Sequence, residues 1–116
     1  MNNVNEDAQL EQIEISMKQA RKSIDRMKSL EKLTNNKEFI NIVLEDYFEG
    51  EASRLVLLKA DPSLQSVEDQ KQLDNSITAI GYLRQYFITV NQVGRMSEKS
   101  LDADQETQEE LLAGVE

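Results

Sequence analysis

Between Leu10 and Met27 the apolar residues stand at Leu10, Ile13, Met17, Ala20, Ile24 and Met27, alternately three and four residues apart. An α-helix turns once in about 3.6 residues, so this spacing gathers all six on one narrow stripe, the a/d seam of a coiled coil. A β-strand alternates faces every second residue and would scatter them. Helix-forming Ala, Glu, Gln, Lys and Arg fill most of the positions between. The pattern predicts a helix over about 7–33 and makes those six residues the candidate protein interface. After Met27 the register slips, because Leu30 and Leu33 follow at three-residue steps. Such a stammer overwinds a supercoil locally, or marks where a helix leaves its partner.

Thr34-Asn35-Asn36 ends the periodicity, and Asn35 or Asn36 is placed to cap a second helix. That helix is predicted over about 37–60. Phe39, Ile40, Val43, Leu44, Tyr47 and Phe48 give it a broad stripe, continued by Ala52, Leu55, Val56 and Leu58. Gly50 interrupts the stripe and predicts a kink, and Asp61-Pro62 ends the element. Ser66-Val67-Glu68-Asp69 resembles a capping box and opens a third helix, predicted over about 66–100. Its apolar face is Leu73, Ile77, Ile80, Leu83, Phe87 and Val90, and Gly81 is predicted to let a neighbouring helix approach closely. Residues 101–116 carry only acidic charge and are expected to form a short helix when docked and to be disordered when free.

The fold expected is therefore all-α. Three long amphipathic helices form an extended antiparallel bundle or hairpin over residues 1–100, as one domain, with an acidic C-terminal tail. Rods this long for their mass leave apolar stripe over for a second chain, so a homo-oligomer or a larger assembly is expected.

The chain has neither Cys nor His. Thiolate and imidazole zinc sites, Cys nucleophiles and Ser-His-Asp catalysis are thereby excluded. No apolar run approaches the roughly 20 residues that cross a bilayer. The polar, acidic start MNNVNEDAQLEQ lacks the features of a signal peptide, so the protein is expected to stay where it is made.

The net charge of −9 is unevenly spread. Residues 1–16 hold four acids and no base, whereas residues 17–37 hold seven bases against Asp25 and Glu31. Lys18, Lys22 and Arg26 share a helix face that suits phosphate. No aromatic is interleaved for base stacking, and the overall charge disfavours nucleic acid. The leading expectation for these bases is a solvated face paired with nearby acids such as Glu14. A contact with the acidic end of a neighbouring copy fits the charge map better still.

Asp102, Asp104 and Glu106 match the first acids of a calcium loop. Thr107 stands where that loop needs Gly and Ala113 where it needs Glu, so no metal is expected. Glu45 and Glu49 lie one turn apart, without the His of a di-metal bundle. Tyr47, Tyr82 and Tyr86, beside Phe48 and Phe87, are expected to form a core or interface cluster with hydroxyls turned outward. Arg84 and Arg95 are expected to pair with acids of the second helix. No catalytic residue, cofactor or enzymatic activity is expected.

The phrases YFEGEASRLVLLKADPSLQS, AIGYLRQYF and GRMSEKSLDADQETQEELL, within residues 38–110, resemble a group of small helical proteins encoded by tailed bacteriophages. The resemblance implies a non-enzymatic virion or assembly component, in the particle or the host cytoplasm. The alternative expectation is a small acidic phage regulator that binds and modulates a host enzyme.

Overall fold

The computed structural model describes residues 3–114. Helices take up nearly all of this stretch, and the described residues contain no strand. Helix α1 is Asn3–Thr34. Helix α2 covers residues 37–58 in three consecutive stretches: Lys37–Phe39 in α geometry, Ile40–Glu51 as a π-helix, and Ala52–Leu58 in α geometry again. A single 3-10 turn, Pro62–Leu64, leads to helix α3, Val67–Ala113.

The chain groups into two compact units. Unit 1 is Met1–Ser29 with Val90–Glu116, and unit 2 is Leu30–Thr89. One bundle over 1–100 is the expectation from sequence; the boundary instead falls between Ser29 and Leu30, at the register slip after Met27.

In unit 1, α1 lies antiparallel to the C-terminal half of α3. Two pairings fix the register. Gly94 abuts Met27, and the Ser16 hydroxyl donates to Asp104 Oδ2 at 2.6 Å. Carried residue for residue, this antiparallel register from Met27 and Gly94 brings Ile24 level with Ser97, Ala20 with Leu101 and Leu10 with Leu111. Asn91 beside Val90 apart, the buried or half-buried positions of α3 here are Val90, Gly94, Ser97, Leu101, Asp104, Gln108 and Leu111. They alternate four and three apart, a complement to the α1 seam. This is why α3 runs to Ala113. Residues 101–113, expected as a separate short or disordered tail, continue the same seam, and residues 115–116 lie outside the described ones.

In unit 2, α2 packs on the first half of α3. The apolar pairs 39/40, 43/44 and 47/48 recur every four residues. An α-helix turns about 40° too far in four residues, and a π-helix, with about 4.4 residues per turn, falls roughly 30° short. Phe39 and Phe48 make the consequence plain. Nine residues are about two and a half α turns, which puts the ends on opposite faces, but about two π turns, which puts them on one. Both rings pack against Phe87, each with centroids 5.9 Å apart. Gly50 does not mark a local kink; the departure from α geometry extends over Ile40–Glu51. A Cβ at Gly50 would meet nothing closer than the Glu45 carbonyl at 3.7 Å.

The helix ends follow their sequence signals. Asn36 Oδ1 accepts from the Phe39 amide at 2.9 Å, and Ser66 Oγ accepts from the Asp69 amide at 3.0 Å. Asp61 Oδ1 accepts from the Ser63 amide and hydroxyl, at 2.8 and 2.7 Å, which holds its carboxyl below the usual carboxylate range. Two glutamines tie the turn to the end of α2. Gln65 Nε2 donates to the Lys59 and Asp61 carbonyls, and Gln70 Nε2 to those of Lys59 and Leu64. Lys59 also pairs with Asp74 at 2.5 Å.

Candidate protein interface

The six residues singled out from sequence face the chain's own α3. Met17, Ala20, Ile24 and Met27 are buried, and Leu10 and Ile13 are half-buried. Among the described residues of unit 1, that stripe is covered by the segment of α3 from Val90 onward. The stripe is a helix–helix seam, closed inside one chain.

The α3 side of that seam went unrecognised in the sequence because four of its seven positions, Gly94, Ser97, Asp104 and Gln108, are not apolar. Their spacing was the signal, not their hydrophobicity. Small residues meet large ones: Gly94 opposes Met27 and Ser97 opposes Ile24. A Cβ built on Gly94 would lie 2.5 Å from Met27 Cβ, so this glycine is where the helices approach most closely among the glycines described. Gly81, expected to have that role, has nothing within 4 Å. Its Cα lies on an outward face of α3.

Charge divides unit 1 along its length. Residues 3–16 and 101–114 lie at the same end, through the Leu10–Leu111 level, and hold nine acids with no base. Residues 17–29 and 90–100 hold seven bases and two acids. An acidic end therefore adjoins a basic belt. Among the described residues the two ion pairs are Arg54–Glu51 and Lys59–Asp74, both in unit 2. Among the described residues the pairings expected for Lys18, Lys22 and Arg84 are not formed. Among the described residues no charged side chain of unit 1 is in an ion pair, and Asp104 accepts from the Ser16 hydroxyl.

At the acidic end, Ala8, Gln9, Gln12, Ile13, Thr107 and Leu111 line an open, mainly apolar groove of about 480 Å³. In unit 2 a smaller groove of about 270 Å³ lies between α2 and α3, lined by the Glu51–Arg54 pair and by the buried Leu55 and Ile80. Tyr82 and Tyr86 are exposed, whereas Tyr47, Phe48 and Phe87 are half-buried, with Phe87 packed on Phe39 and Phe48 and Tyr47 against Phe48. Asp102, Asp104 and Glu106 are helical, and among the described residues no group of three or more acidic side chains is arranged to hold a metal ion. No helix among the described residues is long and apolar enough to cross a membrane.

No protein-family model matches the chain, and neither a curated protein nor a solved structure matches it significantly.

Proposed function

We propose that this chain is a non-enzymatic structural or assembly protein that works by packing its helices against other proteins, in or around a tailed-phage particle. The observation that carries the reading is the apolar surface left on the outside of each helix. Ile15 on α1, Leu57 on α2 and Tyr82 on α3 are 47%, 75% and 71% exposed, and Val56, Tyr86 and Met96 join them. Single exposed apolar residues are ordinary, but their recurrence on every long helix suits a surface meant to be covered. The phage setting rests on the resemblance of residues 38–110 alone. Mass spectrometry of purified particles and of assembly intermediates tests it, and absence from both overturns it.

A specific feature favours a second reading, a small acidic phage regulator of a host enzyme: nine carboxylates with no base share one end of unit 1. The adjoining basic belt weighs against it, because a mimic of nucleic acid needs one sign of charge along its length. Capture of a host polymerase or nuclease by the purified chain, abolished when the acids at residues 102–110 are neutralised, would establish this second reading.

A further inference from the structure

We infer that two copies of this chain associate antiparallel through the outer face of α1, about a two-fold axis at Ile15. The inference rests on the proposal that the protein acts by helix packing, and it names the partner: a second copy.

The face in question lies opposite the seam. With about 100° per residue, Met17 and Ile24 project some 160–180° away from Ile15, toward α3. Ala8, Ile15 and Lys22 fall within about 20° of one line, with Glu11 and Lys18 on one flank and Gln12 and Gln19 on the other. All seven of these side chains are exposed, and none of the charged ones is in an ion pair.

The order of these residues is its own complement. Laying the face on a copy of itself, reversed about Ile15, sets each residue against the one equally far on the other side. Ile15 then meets Ile15 of the other copy. Glu11 falls between Lys18 and Lys22 of the other copy, on the same flank of the contact. Gln12 falls beside Gln19 on the opposite flank, where two side-chain amides can exchange hydrogen bonds. Ala8 leaves room for the aliphatic stem of Lys22. Symmetry makes each of these contacts twice. The same superposition sets the acidic end of one unit 1 beside the basic belt of the other, so the long-range charges agree with the local ones. A parallel arrangement would put like ends together, four acids of each α1 against four of the other.

Few apolar atoms lie on this face, so the dimer is expected to be weak and sensitive to salt. Sedimentation equilibrium of the full chain at about 100 µM measures it. A dimer at roughly 50 mM salt that dissociates at roughly 0.5 M is expected. Glu11→Lys and Lys18→Glu should each weaken it about tenfold, and the two together should restore most of the loss. Circular dichroism of each variant checks that these exposed substitutions leave the helices intact.

Cysteine chemistry reads the register directly, because the native chain has none. Ile15→Cys should oxidise readily to a covalent dimer. Ala8→Cys should not, since its two copies would stand about 21 Å apart along the axis. A monomer at low salt, or equal cross-linking of both variants, overturns the inference. If the chain is monomeric yet present in particles or assembly intermediates, the dimer alone fails and the broader reading stands.

Discussion

Replacing Gly94 with Ala tests the closest approach in unit 1. The added Cβ would lie 2.5 Å from Met27 Cβ, 2.6 Å from Sδ and 2.9 Å from Cγ. Carbon atoms in comfortable contact are about 3.5–4.0 Å apart, so roughly 1 Å of room must be found. The thioether can swing aside. Met27 Cβ cannot, because it is bonded to the backbone, so α1 and α3 must separate locally around a buried methionine. Overpacking of this kind costs about 1–3 kcal/mol, and a clash that no side-chain rotation relieves belongs in the upper part of that range. Better helix propensity returns about 1 kcal/mol. The net expectation is a loss of about 1–2 kcal/mol. Gly81→Ala supplies the control in the same helix, with nothing within 4 Å, and should gain about 1 kcal/mol. Urea and thermal unfolding followed at 222 nm should therefore separate the two variants by about 2–3 kcal/mol, or roughly 8–12 °C in Tm. Met27→Ala added to Gly94→Ala should not rescue it, because the Cβ clash remains. A Gly94→Ala protein as stable as the parent refutes the packing described for unit 1.

Ser16→Ala removes the donor to Asp104 and should lower stability by about 0.5–1.5 kcal/mol in urea unfolding. A double-mutant cycle with Asp104→Ala should show coupling between the two, and strict additivity would argue against the bond. Phe87→Ala removes the ring shared by Phe39 and Phe48 and should cost about 2–4 kcal/mol, more than the same change at the outward-facing Tyr86. Asp61 has a carboxyl held below its ordinary value of 3.8 by the Ser63 amide and hydroxyl. Its contribution to the turn is thus full above pH 3.8 and is lost as pH falls through the lowered value. The Ser63 amide shift in an NMR titration should have its midpoint below 3.8, and a midpoint at or above 3.8 would contradict the hydrogen bonds described.

The helical class, the Asn36 cap, the stop at Asp61-Pro62 and the start at Ser66 were legible because each depends on residues close in sequence. The a/d spacing of α1 correctly marked which face is covered, but not by what. A seam carries no label saying whether its partner is another chain or a distant part of the same one. The answer lay in α3, where Gly94, Ser97, Asp104 and Gln108 hide a heptad from any search that counts only apolar residues. Gly81 was the glycine expected at a close approach; the register, set by Ser16 and Asp104, puts Gly94 there instead. The π geometry of Ile40–Glu51 was present as a four-residue recurrence, yet it was read as a broad stripe on an α-helix. The charge-segregated face of α1 lay in the linear charge map, and the fold added that the acids of residues 101–114 lie at the same end as those of residues 3–16.

The π-helical stretch also constrains how the length of this chain can vary. Removing one residue between Phe39 and Phe48 would relax the coil toward the ordinary pitch, but it would swing the second ring away from Phe87 along with everything downstream to the proline turn. Two insertions or deletions that cancel within Ile40–Glu51 would restore the aim. Chains descended from a common ancestor with this one should therefore keep the count of residues between those two rings fixed, even where the side chains themselves have drifted.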